Sequence, residues 1–504
     1  QTRQQLEQRV VPTYLSGQRW FASKGTEIKR AELRRRFVLS SRGRDWLLAI
    51  FRAHLADGRD EDYFLPLAVV WDRESHDSLA QPLAKVRNAK QTGILKEALA
   101  DARCIADLVR AAGEGKELAS PDGNVRFSHT GAYFHLQEAD EKNIKKLGAE
   151  QSNSSILIAK KMILKAYRKL ERGVQPELEM GRYLTDVAGY HNTPPLLGSI
   201  EQFDSDGQPT ALAVIQGFVP NQGDGWSFTL SHLKHFFGEI LEGSADDLGN
   251  HSYVALMERL GIRIGELQQA FAIESGDSAF QPEPITEADV ETRKQEIHSE
   301  AETTFGLLAN SENMLPPEQQ SRVHALLDQR HHILRLISSF KLEPGSTIMK
   351  TRFHGDFHLG QVLVAGDDFY IIDFEGEPAR PFAQRRAKQS PLKDVAGMLR
   401  SLNYAAWSAL FESAAGETDK VARLEKPAID WARSSSAALM RGYRKTARGC
   451  ASYPADPEMF RQLLDLLILE KALYEIRYEI ANRPSWLRIP VEGIISLLEQ
   501  PENQ

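Results

Sequence analysis

The sequence predicts an α+β fold: a strand-rich front, a helical back and one β interruption near residue 360. Three observations carry this. Short apolar runs bounded by polar turns recur through the first 220 residues. Apolar residues at helical spacing dominate from about residue 227 onward. Residues 351–373 then break the helical stretch with two strand-like runs, 362–364 and 369–372, around Gly366-Asp367-Asp368.

In chain order, residues 37–39 and 46–51 read as strands of a hairpin around 40–45, and 63–71 as a further strand. A mixed region with turn signals at Gly113–Gly115 and Asp122–Gly123 follows, up to about residue 150. Gly113-Glu114-Gly115-Lys116 lacks the Walker spacing and reads as a plain turn. Residues 156–159 and 162–167 are two strands joined by Lys160-Lys161. Residues 177–187 have helical periodicity, with Leu178, Tyr183 and Leu184 as apolar markers, closed by Pro194-Pro195. A third strand, 212–219, runs into the turn-rich Pro220-Asn221-Gln222-Gly223-Asp224-Gly225. Helices are expected over 253–271, over a long polar-sided stretch 290–342, and over 392–500.

The 504 residues carry 62 basic and 69 acidic side chains, a formal charge of −7, which argues against a nucleic-acid partner. Two cysteines, Cys104 and Cys450, in no metal-ligand spacing exclude a disulfide scaffold and a structural zinc site, and point to a reducing, cytoplasmic setting. The opening QTRQQLEQRV has no apolar core of a signal peptide. The longest apolar runs, 46–51 and 466–469, fall far short of the ~20 residues that span a bilayer, so no membrane role is expected.

The strongest chemical signal is Phe353-His354-Gly355-Asp356-Phe357-His358-Leu359-Gly360-Gln361, followed by Phe369-Tyr370-Ile371-Ile372-Asp373-Phe374-Glu375. An acid in a loop, an amide five residues later, a short hairpin and a second acid can converge on a hard cation and an attacking hydroxyl. Mg²⁺ prefers oxygen ligands, often carboxylates with phosphate oxygens. Phosphoryl transfer needs chiefly this positioning and charge neutralisation. Asp356 would accept the hydroxyl proton, while Gln361 and Asp373 hold the metal.

These segments resemble the aminoglycoside-phosphotransferase-like kinases, whose loop reads HGDxHxxN. Gln361 departs from that Asn, keeping the amide oxygen on a longer stem. The resemblance implies a bilobal protein-kinase-like fold that binds ATP and Mg²⁺. Asp373 stands at the second metal acid, and Glu375 is a possible helper. His354 reads as a loop-shaping residue, and His358 as either packing or a substrate contact. In the front half, Gln151-Ser152-Asn153-Ser154-Ser155 would be a polar turn over the ATP phosphates. Lys165 would hold the α- and β-phosphates, paired with a helix glutamate, Glu179 in preference to Glu177. Gln216 and Phe218 would flank adenine through their backbone.

The resemblance narrows to bacterial maltokinases on Arg19-Trp20-Phe21-Ala22-Ser23-Lys24-Gly25, the stretch 218–226, Phe374-Glu375-Gly376-Glu377-Pro378, the stretch 469–475 and the tail 482–490. It implies ATP-dependent transfer to the anomeric hydroxyl of maltose, giving maltose 1-phosphate for α-glucan or glycogen synthesis. It also implies a cap over 1–100, a β region with the kinase N-lobe over 101–221, and a helical C-lobe over 222–504. Such kinases are often fused behind trehalose synthase, a possible partner with which a chain starting at Gln1 is compatible. A sugar site wants hydroxyl partners and a flat apolar wall. Tyr474, Glu475 and Tyr478 offer both, and Trp486 is expected to pack the helix end. Arg380, Arg385 and Arg386 receive no catalytic role, and Asp394 reads as a helix cap or buried loop anchor. Two other readings stand beside maltose: a kinase of glucosamine or an aminoglycoside, and a non-catalytic, pseudokinase-like scaffold.

Overall fold

The computed structural model describes residues 2–71, 82–121, 123–148, 153–243, 247–311, 315, 317–342 and 345–498. The chain divides into two compact units, Gln1–Pro220 and Asn221–Gln504.

The first unit is built on two seven-stranded antiparallel sheets. In the first, the long hairpin Ile28–Ser41 and Arg44–Leu55 turns at Arg42-Gly43, both with positive φ as a tight two-residue hairpin requires. The single strand expected over 63–71 is two, Asp60–Phe64 and Leu67–Trp71, because Pro66 cannot donate to a ladder. In the second sheet, Met162–Tyr167 lies between Asn153–Ile158 and Pro209–Gly217. The turn between Asn153–Ile158 and Met162–Tyr167 has Ala159 and Lys160 at φ 52° and 54°, the left-handed pair of a type I′ hairpin.

Among the elements not anticipated, two build the core of this unit. The helix Ala102–Gly113 is capped by Asp101, whose carboxylate accepts the Arg103 N–H at 3.1 Å. It buries Cys104, Ile105, Leu108, Val109 and Ala112 in one core with Phe127, Ile158, Leu164 and Ile200. The strand Leu196–Phe203 starts directly after Pro194-Pro195 and pairs with Pro209–Gly217. Lys169–Leu170 leaves the second sheet and pairs with Asp60–Phe64 of the first. At that crossing Arg168 is fully buried: it donates to Ser154 Oγ at 2.6 Å, pairs with Glu97 and lies 4.7 Å from the Trp20 ring.

Among the described residues, the second unit is helical apart from two small two-stranded sheets. Asp247–Phe271 and Thr418–Ala447 cross closely through glycines: a Cβ on Gly261 would lie 1.9 Å from Leu439 O, and one on Gly442 2.0 Å from Glu258 O. The expected stretch 290–342 resolves into Glu287–Ser311, Pro317–Asp328 and Arg330–Ser339. The region 392–500 holds Leu392–Ala414, Thr418–Ala447, Pro457–Asn482 and Arg488–Leu498. Leu392–Ala414 is buried along most of its length and supports the loop before the hairpin Val362–Ala365/Asp368–Ile371, whose strands pack on Gly225–Glu242 and Asp247–Phe271. Among the described residues, no helix is long and apolar enough to cross a membrane.

Candidate active site

The loop 353–361 is held from beneath by Asp394, in the first turn of Leu392–Ala414. Its carboxylate accepts the backbone N–H of His354 at 2.7 Å and of Gly355 at 2.9 Å. Burial pushes the Asp394 carboxyl above its ordinary value, opposed by His354 and by these two backbone donors. Gly397, one turn on, passes under the loop so closely that a Cβ would lie 2.5 Å from Phe357 O. Gly355 sits at φ 86°, where a side chain would strain the backbone.

His354 is buried. Its Nε2 donates to Ile372 O at 2.8 Å, and Nδ1 accepts the Asp356 N–H at 3.4 Å, tying the loop to the end of the hairpin. The half-buried His358 accepts the Gly360 N–H at Nδ1, 3.0 Å away. Burial lowers its pKa against the pull of nearby Asp356. Asp356 lies between these two histidines. Its carboxylate has no hydrogen-bond or ion-pair partner among the described residues, and it lines a cavity of about 270 Å³.

Gln361 and Asp373 are brought together, Gln361 Nε2 donating to Asp373 Oδ2 at 3.2 Å. A carboxylate oxygen of Asp373 and one of Glu375 lie within 4.8 Å. Asp373 has φ 66°, a strained conformation of the kind that gathers at functional sites. Two carboxylates and an amide oxygen form the donor set of a hard divalent cation, so these residues fit Mg²⁺.

The cavity beside Asp356 is walled by Glu300, Glu377, Arg380, Lys393, Glu470, Lys471 and Tyr474. Glu470 is the notable member. Its Oε1 receives Lys393 Nζ at 2.7 Å and Arg293 at 3.3 Å, while Oε2 is buried without a hydrogen-bond partner. Burial alone would raise its carboxyl, but Lys393 and Arg293 outweigh that and hold it below the usual range. Glu377 pairs with Arg380 at 2.6 Å and Glu300 with Arg477 at 3.3 Å. Burial, then Glu377 and Asp356, push the Tyr474 phenol upward, so it remains a donor.

Of the sugar-contact residues expected from sequence, Tyr474 lines this cavity. Glu475 instead turns to Arg400, which donates to it at 2.9 and 2.7 Å, and it is buried there. Tyr478 stands outside, stacked on Tyr474 with ring centroids 6.5 Å apart. Glu470 and Lys471 lie in a segment that carried the resemblance, yet their chemistry was not assigned. The signal was their spacing to Tyr474, four and three residues away on one helix face. Arg380, left without a role, is a wall residue paired to Glu377.

In the first unit, Lys165 Nζ lies 2.8 Å from Glu177 Oε2, and Tyr167 Oη donates to the same oxygen at 2.6 Å. Gln216 Nε2 donates to Glu177 Oε1 at 3.3 Å. The glutamate set against Lys165 is therefore Glu177, which corrects the preference for Glu179. The helix Pro176–Arg182 begins at its Gln175 cap, and residues two apart point to nearly opposite sides, so the buried Glu177 faces the strand. The expected phosphate turn is also corrected. Asn153, Ser154 and Ser155 are already in strand, and Ser154 Oγ is used by Arg168. Gln151 and Ser152 lie outside the described residues. The Phe218 N–H, expected at adenine, donates to Lys161 O at 2.8 Å.

Residues 14–101 match the family described as the maltokinase N-terminal cap domain. Over 354 residues the chain is 23% identical to a glucosamine kinase of Streptacidiphilus jiangxiensis, covering 70% of this chain and 72% of that protein. A glucosamine kinase of Mycolicibacterium smegmatis is 24% identical over 359 residues, 70% of this chain and 78% of the other. Among solved structures, a glucosamine kinase in its crystal form B superposes with a TM-score of 0.66 at 19% identity, over 98% of this chain and 99% of that one. A glucosamine kinase in complex with glucosamine, ADP and inorganic phosphate gives 0.64 at 18% identity, over 97% and 99%. The fold is α+β and is that of these glucosamine kinases, with an N-terminal β-rich cap and a helical C-lobe.

Proposed function

We propose that a chain of this fold, carrying a maltokinase-type cap, is an ATP-dependent sugar kinase that phosphorylates maltose at its anomeric hydroxyl. The observation that supports this most is the unpaired Asp356 carboxylate on a cavity whose other acids are already matched. Glu470 faces Lys393 and Arg293, Glu377 faces Arg380, Glu300 faces Arg477, and Asp394 is spent on backbone N–H groups. A neutral acceptor suits such a balanced wall. An ammonium group would call for a spare carboxylate besides the base.

In the reaction the anomeric oxygen attacks the γ-phosphorus of ATP. The new O–P bond forms as the bond from γ-phosphorus to the β,γ-bridging oxygen breaks; ADP leaves, and the hydroxyl proton passes to Asp356. Glu470 Oε2 accepts a hydrogen bond from a sugar hydroxyl, and Tyr474 covers a C–H face of the ring. Asp373, Glu375 and Gln361 hold Mg²⁺, which supplies charge neutralisation for the transferring phosphoryl group when bound. Lys165, fixed by Glu177, binds ATP phosphates.

Glucosamine is the second reading, favoured by relatives named for that activity over 70% of this chain. The experiment incubates the protein with ATP–Mg²⁺ and maltose, glucosamine or kanamycin, with products read by ³¹P NMR and mass spectrometry. An anomeric phosphate on maltose, lost in Asp356→Asn, supports the proposal. Transfer to glucosamine alone overturns the acceptor and keeps the kinase. ATP binding with no transfer to any acceptor returns the scaffold reading.

A further inference from the structure

The helix that supplies the cavity's aromatic wall continues past it with the same face exposed. On Pro457–Asn482, Leu467, Glu470, Lys471 and Tyr474 line the cavity at spacings of three and four, which is one face of a helix. The next position on that face is Tyr478. Four residues advance about 6 Å along a helix, the scale of one hexose unit. Tyr474 and Tyr478 are 37% and 44% exposed, and their rings stack at an interplanar angle of 24°. An aromatic ring kept for packing gives most of its value when covered, and these two keep more than a third of their surface in water, with Lys471 Nζ 5.1 Å from the Tyr474 ring.

The row does not end at Tyr478. The Arg483 guanidinium lies 5.4 Å from the Tyr478 ring and 4.5 Å from the Trp486 ring. Glu479 fixes it, accepting from Nε at 3.0 Å and from Nη2 at 2.8 Å, which leaves Nη1 free to donate. Trp486, expected only to pack the helix end, sits 6.4 Å from Tyr404 and half-exposed beside this cation. Flat rings for C–H faces, with a fixed guanidinium for hydroxyls between them, match the two surfaces of a pyranose.

We infer that Tyr478, Arg483 and Trp486 form an outer glucose subsite, continuous with the Asp356 cavity through Tyr474. The acceptor is then a short α-glucan, bound by its reducing end at Asp356 and by its third residue on this row. The inference rests on the α-glucan acceptor reading above.

The test compares kcat/KM for maltose, maltotriose and maltotetraose on the full chain, with Tyr478→Ala, Tyr478→Phe and Trp486→Ala. The wild-type protein should use maltotriose at least as well as maltose. Tyr478→Ala should lower the maltotriose-to-maltose ratio about three- to tenfold, the worth of one aromatic contact. Tyr478→Phe, which keeps the ring, should restore the ratio, and Trp486→Ala should lower it too. Maltose use without maltotriose use, or a ratio that Tyr478→Ala leaves unchanged, overturns the outer subsite while the maltose reading stands. Transfer to no α-glucan overturns both.

Discussion

Asp394 holds Gly355 by its backbone, accepting that N–H at 2.9 Å from beneath a loop whose next residue is the unpaired Asp356. The proposed base thus sits on a loop anchored by a buried carboxylate of another element. Asp394→Ala would strand the buried His354 N–H and the half-buried Gly355 N–H. It should cost on the order of 2–5 kcal/mol of stability and lower kcat with a smaller change in KM for the sugar. Thermal unfolding together with steady-state kinetics checks both effects.

Gly397→Ala tests the same support from the side. The added methyl would meet Phe357 O at 2.5 Å, so the loop must lift or the helix must shift. Overpacking of this kind costs about 1–3 kcal/mol. A lower Tm with a reduced kcat is the expected outcome, whereas Gly238→Ala, where a Cβ meets nothing within 4 Å, should leave kcat unchanged.

The Lys165–Glu177 pair gives a nucleotide-side prediction. Glu177→Gln removes the charge that fixes Lys165 and should raise KM for ATP about tenfold, equivalent to about 1.4 kcal/mol. Glu179→Gln should change it less than twofold. Equal effects of the two substitutions would contradict the assignment of Glu177.

Acid sensitivity should trace in part to His232, whose ring stacks on Tyr253 at 4.5 Å and whose Nε2 is buried without a partner. Burial first, and His235 second, push its pKa down from 6.5 to about 4. Between those values the unfolded chain binds the proton and the folded chain does not, so stability falls as pH drops from about 6.5 towards 4. The loss amounts to on the order of 2–3 kcal/mol at the acid end. His232→Phe should flatten that part of the Tm–pH curve.

The hairpin at 362–371, the strand carrying Lys165 and the helix carrying Glu177 were legible because each has its own period and its own punctuation. The helix Ala102–Gly113 was missed although Cys104, Ile105, Leu108, Val109 and Ala112 follow helical spacing, because neighbouring turn signals dominated the reading. In the site, the acids of the loop and hairpin were visible as a linear pattern. The wall was not: Glu300, Lys393 and Glu470 come from three helices, and only packing brings them to one cavity. Glu475 shows the converse. Its place beside Tyr474 suggested sugar, but the residue that claims it, Arg400, is 75 positions away.

Glu300 and Arg293 both lie on Glu287–Ser311, so one flank of the acceptor wall is furnished by a stretch of chain remote from the loop that carries the base. Under the proposed function, a change within that helix would alter one flank of the acceptor cavity and leave Asp356, Gln361 and Asp373 untouched.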